Sequence, residues 1–192
     1  MKKVWSVSRL LAGLCLACSL WASDASAQAV FSADGGFAMP VNASYASYGG
    51  NFSARIGRRI GIRSLWETPE LVFNYAMFGS GEENGYPDGF EAMRGLIGAR
   101  LTFGGILRPG LLAHLGLGRI AGAIDSRGEN NALQRRDITH TAFTWDAGLT
   151  FDLAISRNFE LGVHGTYSHI LGPGSRVAFR WFDIGGHLAI IL

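Results

Sequence analysis

A chain of 192 residues with 17 basic and 15 acidic groups carries a formal net charge of +2 and two cysteines. The excess charge belongs to its first residues: Lys2, Lys3 and Arg9 precede and open an apolar run, Leu10 to Trp21, which Ala25-Ser26-Ala27 follows. Basic, then apolar, then small-x-small is the order of a cleaved secretory signal peptide, and the apolar run is shorter than the about 20 residues a bilayer span needs. Residues 1–27 are therefore expected to be a signal peptide and 28–192 one exported domain. Cleavage removes three of the 17 basic residues and one of the 15 acidic ones, leaving 14 of each, and every remaining basic residue is arginine. A neutral mature chain excludes the electrostatic footprint of a nucleic-acid-binding protein. Cys15 and Cys18 leave with the leader, so disulfides are excluded too. Stability has to come from complete hydrogen bonding or from a membrane.

Past residue 28 no segment of useful length has helical periodicity. Eight runs alternate instead, at 29–39, 50–62, 70–78, 93–103, 110–121, 141–155, 159–170 and 177–191, as antiparallel strands with two unlike faces do. In the first, Phe31, Ala33 and Phe37 alternate with Ser32, Asp34 and Gly36; in the second, Phe52, Ala54 and Ile56 alternate with Ser53, Arg55 and Gly57. The third sets Leu71, Phe73 and Tyr75 against Glu70 and Asn74, and the fourth sets Ile97, Ala99 and Leu101 against Arg94, Gly98 and Arg100. Leu111, Leu115 and Leu117 stand opposite His114 and Gly116 in the fifth. The sixth and seventh, TAFTWDAGLTFDLAISRNFELGVHGTYSHI, keep odd positions apolar across the turn at Ser156-Arg157-Asn158. The eighth places Phe182, Ile184, Leu188 and Ile190 opposite Trp181, Asp183 and His187. Connections alternate between short (104–109, 156–158, with 63–69 moderate) and longer polar ones (40–49, 79–92, 122–140, with 171–176 brief).

Periodicity leaves open which face looks outward. The polar face holds glycine, serine, threonine and charges of both signs but no lysine, which suits a crowded lumen better than a water-washed exterior. The apolar face is read as carrying two aromatic bands, Tyr75, Phe78, Phe143, Trp145, Tyr167 and Phe179 toward the long loops and Phe31, Trp66, Phe103, Phe151 and Phe159 toward the short turns. Such girdles mark a lipid-facing surface, and an even strand number lets the sheet close without an edge. The expected fold is all-β, an eight-stranded antiparallel up-and-down transmembrane β-barrel preceded by a cleaved signal peptide. A soluble lipocalin-like carrier, with the apolar face inward, is opposed by the alternating loop lengths and by the lack of a Gly-x-Trp near the first strand.

ARLTFGGILRPGLLAHLGLG and WDAGLTFDLAISRNFELGVHGTYSHI are the stretches by which the chain resembles the eight-stranded outer-membrane barrels of the OmpA/OmpX-like group. The resemblance spans the mature chain and implies a monomer in the outer membrane of a Gram-negative cell. Its implied partners are outer-membrane lipids, lipopolysaccharide and the outer-membrane assembly machinery, which engages the closing strand. That strand usually ends in an aromatic, and Leu192 stands there instead. The group shares no catalytic motif.

Parity sends six acids inward, Asp34, Glu70, Asp146, Asp152, Glu160 and Asp183, together with Arg55, Arg59, Arg94 and Arg100. Buried charges must be paired, so a salt-bridged network filling the lumen is expected. Glu70, Arg100, Asp152 and Glu160, counted from the strand ends, fall in one layer. His114, His164 and His187 are expected to bond to the acids and not to hold a metal, and no cofactor is expected. Ser168-His169 with Asp146 is the nearest approach to a hydrolytic triad, but Ser168 and His169 fall on opposite faces, so no enzyme is expected. In loop 122–140, Arg127, Arg135 and Arg136 are candidates for lipopolysaccharide phosphates, which suit arginine's bidentate geometry. The function expected is an envelope-structural or surface-interaction role through loops 79–92 and 122–140. The alternatives are a narrow pore or lateral-opening transporter for small apolar molecules, and a lipid A-modifying barrel enzyme.

Overall fold

The computed structural model describes residues 28–41, 46–62, 65–80, 89–127, 133–172 and 178–192, with the backbone alone at 62, 124–127 and 133–136. The expected leader, 1–27, lies outside the described residues. Eight strands follow in order: β1 (Gln28–Pro40), β2 (Ala46–Ile62), β3 (Leu65–Ser80), β4 (Phe90–Phe103), β5 (Leu107–Arg127), β6 (Leu133–Ala154), β7 (Phe159–Ile170) and β8 (Phe179–Ile191). Each pairs antiparallel with the next, and β8 returns to β1, so the sheet is a closed up-and-down barrel. Closure satisfies the backbone groups between strands and leaves no edge, the condition for a sheet to sit in lipid.

The faces are inverted relative to a water-soluble barrel. Leu149 and Leu117 are each 64% exposed and Phe37 is 74% exposed, while Asp152, Asp183 and Glu160 are buried. A continuous apolar exterior around a charged interior is the arrangement lipid selects. Outward aromatics gather near the long-loop end of β6, β7 and β8, where Trp145 lies 5.6 Å from Tyr167 and Tyr167 lies 5.1 Å from Phe182.

Three residues assigned above to the outer girdles belong inside. Phe78 and Phe179 are buried, and Trp66, half-buried, shares the inward parity of Thr68 and Glu70 on β3. Aromatic identity is a poor guide here: both an interfacial belt and a lumen plug use large rings, and only parity separates them.

Strands also run past the apolar alternation. Most of the stretch expected as loop 122–140 is a paired hairpin, with Ala123 opposite Asp137, Asp125 opposite Arg135 and Arg127 opposite Leu133. Residues 128–132 lie outside the described residues. Above a bilayer both faces of a strand meet water, so pairing continues while the period-two signal disappears. β2 likewise begins at Ala46, inside the expected loop 40–49, and a register shift between Ala46 and Gly49 accommodates it. β3 starts at Leu65 because Glu67, Thr68 and Pro69 pair while breaking the apolar pattern. The tight β4–β5 turn rests on Gly104, at φ 108°, where a Cβ would lie 2.4 Å from the Leu107 carbonyl oxygen. Of loop 79–92, residues 81–88 lie outside the described residues.

Candidate functional site

Alternation brings the inward residues of all eight strands into one lumen, filled in three tiers. At the short-turn end Glu160 accepts two hydrogen bonds from Arg59, at 2.7 and 2.5 Å, and a third from Arg108. Trp66 lies under both guanidinium groups, 5.8 Å from Arg59 and 5.2 Å from Arg108. The expected common layer is thereby corrected: Glu160 pairs with Arg59 and Arg108, not with Arg100. Counting from strand ends ignores the stagger that closing a barrel imposes on its tilted strands.

The middle tier is a charge network. Arg100 reaches Glu70 at 3.0 Å and Asp152 at 3.6 Å. Glu70 also faces Arg55 at 3.6 Å and His114 at 2.9 Å. His114 bridges to Asp146, its cross-strand partner, at 2.6 Å, and Arg94 joins Asp146 at 3.2 Å. Arg55 pairs with Asp34 at 2.9 Å. His187 Nε2 stands 3.1 Å from Asp152, which also accepts a 2.5 Å bond from Thr150. Gly162 makes that contact possible, since a Cβ there would lie 2.5 Å from the His187 ring and 2.7 Å from Asp152 Oδ1.

Toward the long loops Asp183 closes the network, with Arg94 at 3.9 Å and neutral donors nearer. Asn51 donates to it at 2.5 Å, Trp181 Nε1 at 2.9 Å and Ser168 at 3.1 Å. Arg94 lies over the Trp181 ring at 4.6 Å and donates to Asn74 at 2.9 Å. The third tier then begins. Phe90 packs against Phe78 at 4.8 Å and against Phe179 at 4.3 Å, and Phe179 stacks on Trp181 at 5.3 Å. Ala38, Ala76, Ala92, Ile120 and Ile170 complete an apolar core with them. Within the network, a cavity of about 10 Å³ lined by Asn51, Arg94, His114, His164 and Asp183 has room for about one water.

Arg108, Asn51, Asn74, Phe90 and the Trp181 plug were not singled out from the sequence. Inward parity would have found Asn51 and Asn74, whereas Arg108 lies where the turn was expected. Ser168 and His169 do not pair: Ser168 binds Asp183 inside, and the His169 ring lies 5.8 Å from Trp145 outside. The side chains of Arg127, Arg135 and Arg136 lie outside the described residues, although their backbones are in the β5–β6 hairpin. Arg119 and Arg180 are exposed, and on β5 and β8 each occupies the next outward position past Leu117 and Phe182.

The sequence matches no protein-family model and no curated protein. Solved structures do match. Neisserial surface protein A is 18% identical with a TM-score of 0.57, over 86% of this chain and 98% of that one. Ail, the attachment invasion locus protein of Yersinia pestis, is 14% identical with a TM-score of 0.46, over 85% and 97%. The N-terminal β-barrel domain of Pseudomonas aeruginosa OprF has the same identity, TM-score and coverage. The chain has the fold of the eight-stranded outer-membrane barrels.

Proposed function

We propose that this protein is a non-enzymatic, non-conducting barrel of the outer membrane that acts through its long-loop end. The observation that carries this reading is the filled lumen, in which an ion-paired tier and an aromatic tier lie in series. A pore would need a continuous wet path, and burial of Phe78, Phe90, Phe179 and Trp181 opposes one. The surface left for recognition is the β3–β4 and β5–β6 hairpins. Between them opens a cleft of about 500 Å³ lined by Tyr75, Met77, Glu91, Asp137 and Thr139 and floored by Phe78 and Phe90. Purified protein in planar bilayers should show no steady conductance, and a reproducible porin-like current would overturn the reading.

The partner at this end is lipopolysaccharide, bound through phosphate. Arg119 and Arg180 stand just past the apolar band, where outer-leaflet phosphates lie, and Arg127, Arg135 and Arg136 follow in the hairpin. Arginine's planar fork suits phosphate. Replacing Arg119 and Arg180 together by alanine should reduce lipopolysaccharide retained through purification in detergent, measured by phosphate content. Unchanged retention would assign that contact elsewhere.

A further inference from the structure

We propose that Asp34, His164 and His187 form a binding site for one divalent transition-metal cation, with zinc as its natural class, that clasps the seam where the barrel closes. The three come from neighbouring strands: Asp34 and His187 are cross-strand partners on β1 and β8, and His164 sits on β7 opposite Gly185. The grouping of His114, His164 and His187 weighed from the sequence does not form, because His114 is taken by Asp146 and Glu70.

Three donor atoms converge without hydrogen bonds. Asp34 Oδ1, His164 Nδ1 and His187 Nδ1 are all buried and unpartnered. Asp34 Oδ1 lies 3.8 Å from His164 Nδ1 and 4.0 Å from His187 Nδ1, and the ligand atoms of the trio fall within 4.8 Å of one another. Those separations exceed a hydrogen bond. Donors held about 2.0–2.1 Å from a common zinc in tetrahedral array lie about 3.4 Å apart, so the trio needs only a modest contraction. Two imidazoles and a carboxylate suit zinc and its first-row neighbours, not calcium or magnesium.

The surroundings orient the ligands. A carboxylate cannot donate, so the 3.1 Å contact of His187 Nε2 with Asp152 makes Nε2 the donor, and in the neutral imidazole Nδ1 is then the nitrogen with the lone pair. The longer approach of Arg100 to the same nitrogen, 3.4 Å, is the weaker claim on it. Carboxylate, imidazole and cation in series is the arrangement that fixes metal-bound histidines. Facing Asp34 Oδ1, the Nδ1 lone pair meets a second acceptor, with neither atom hydrogen-bonded, until a cation sits between them. Arg55 holds the other oxygen, Asp34 Oδ2, at 2.9 Å.

Charge balance points the same way. Above the Glu160 tier, the described lumen holds five buried carboxylates, Asp34, Glu70, Asp146, Asp152 and Asp183, against the guanidiniums of Arg55, Arg94 and Arg100. His114, with a carboxylate at each ring nitrogen, adds a fourth positive charge, and the deficit of one that remains is what a cation at the seam offsets. Protons on the other imidazoles are the competing solution, and metal content separates the two.

The test uses the full barrel refolded into detergent with excess ZnCl₂, then desalted and analysed for metal. His140→Gln and His169→Gln form the background, since they remove the other two histidines besides His114. That protein should retain about one zinc per chain, and cobalt in its place should give the visible band of a four-coordinate site. Adding His114→Gln should leave binding intact. Adding His164→Gln or His187→Gln should cut retention to about one-tenth or less, and Asp152→Asn should weaken binding about 10- to 100-fold. Unboiled gel mobility reports which variants fold, and either ligand variant suffices if the other fails. No retained zinc in the folded background protein, or retention unchanged in a folded ligand variant, overturns the proposal. Neither result bears on conduction, which the bilayer recording tests separately.

Discussion

Arg100→Leu is expected to destabilise the barrel by about 3–5 kcal/mol, the cost of removing one partner from a buried ionic network. Arg100 is buried and bridges Glu70 and Asp152 across the lumen. Its loss leaves Asp152 with His187 and Thr150, and Glu70 with His114 and a longer contact to Arg55. The double variant Arg100→Leu/Asp152→Leu should cost less than the sum of the singles, by about 0.5–3 kcal/mol, because fewer charges are left without partners. Urea unfolding in lipid vesicles measures all three. A negligible effect of Arg100→Leu, or simple additivity, would mean that the guanidinium is solvated and the lumen open to water.

The second large effect is on the outer face. Leu149→Arg is expected to cost about 2–4 kcal/mol when its position lies near the bilayer midplane. Leu149 is an outward residue paired with Leu111 on β5 and Gly165 on β7, well inside the apolar band. The fraction of protein showing folded mobility on an unboiled gel after refolding into lipid should fall sharply. Thr150→Arg is the inward comparison, and it fails for another reason: Thr150 is buried and donates to Asp152, so its replacement crowds the lumen. Folding of Leu149→Arg at wild-type yield in lipid would place that face away from the hydrocarbon.

Much of the architecture was legible because a strand's parity is a local property. Asp34, Glu70 and Asp152 fall on the inward face whatever the neighbouring strands do, and the count of eight follows from the number of alternating runs. Legibility failed where the chemical letter was trusted over parity. Phe78 and Phe179 read as belt residues although their neighbours Asn74, Ala76, Trp181 and Asp183 place that parity inside. It also failed above the membrane, where Asp125 and Arg135 pair across strands that no hydrophobic alternation announces.

By itself, then, the sequence determined the strand number, the inward set of charged residues and the apolar exterior, since each follows from a period of two along one strand. Only the tertiary structure decided which inward residues meet. Glu160 joins Arg59 and Arg108 and not Arg100, and Asp34 from the first strand meets His187 from the last. Those meetings depend on strand tilt, stagger and the closure of β1 on β8, which are properties of the whole barrel and are written in no single run of residues.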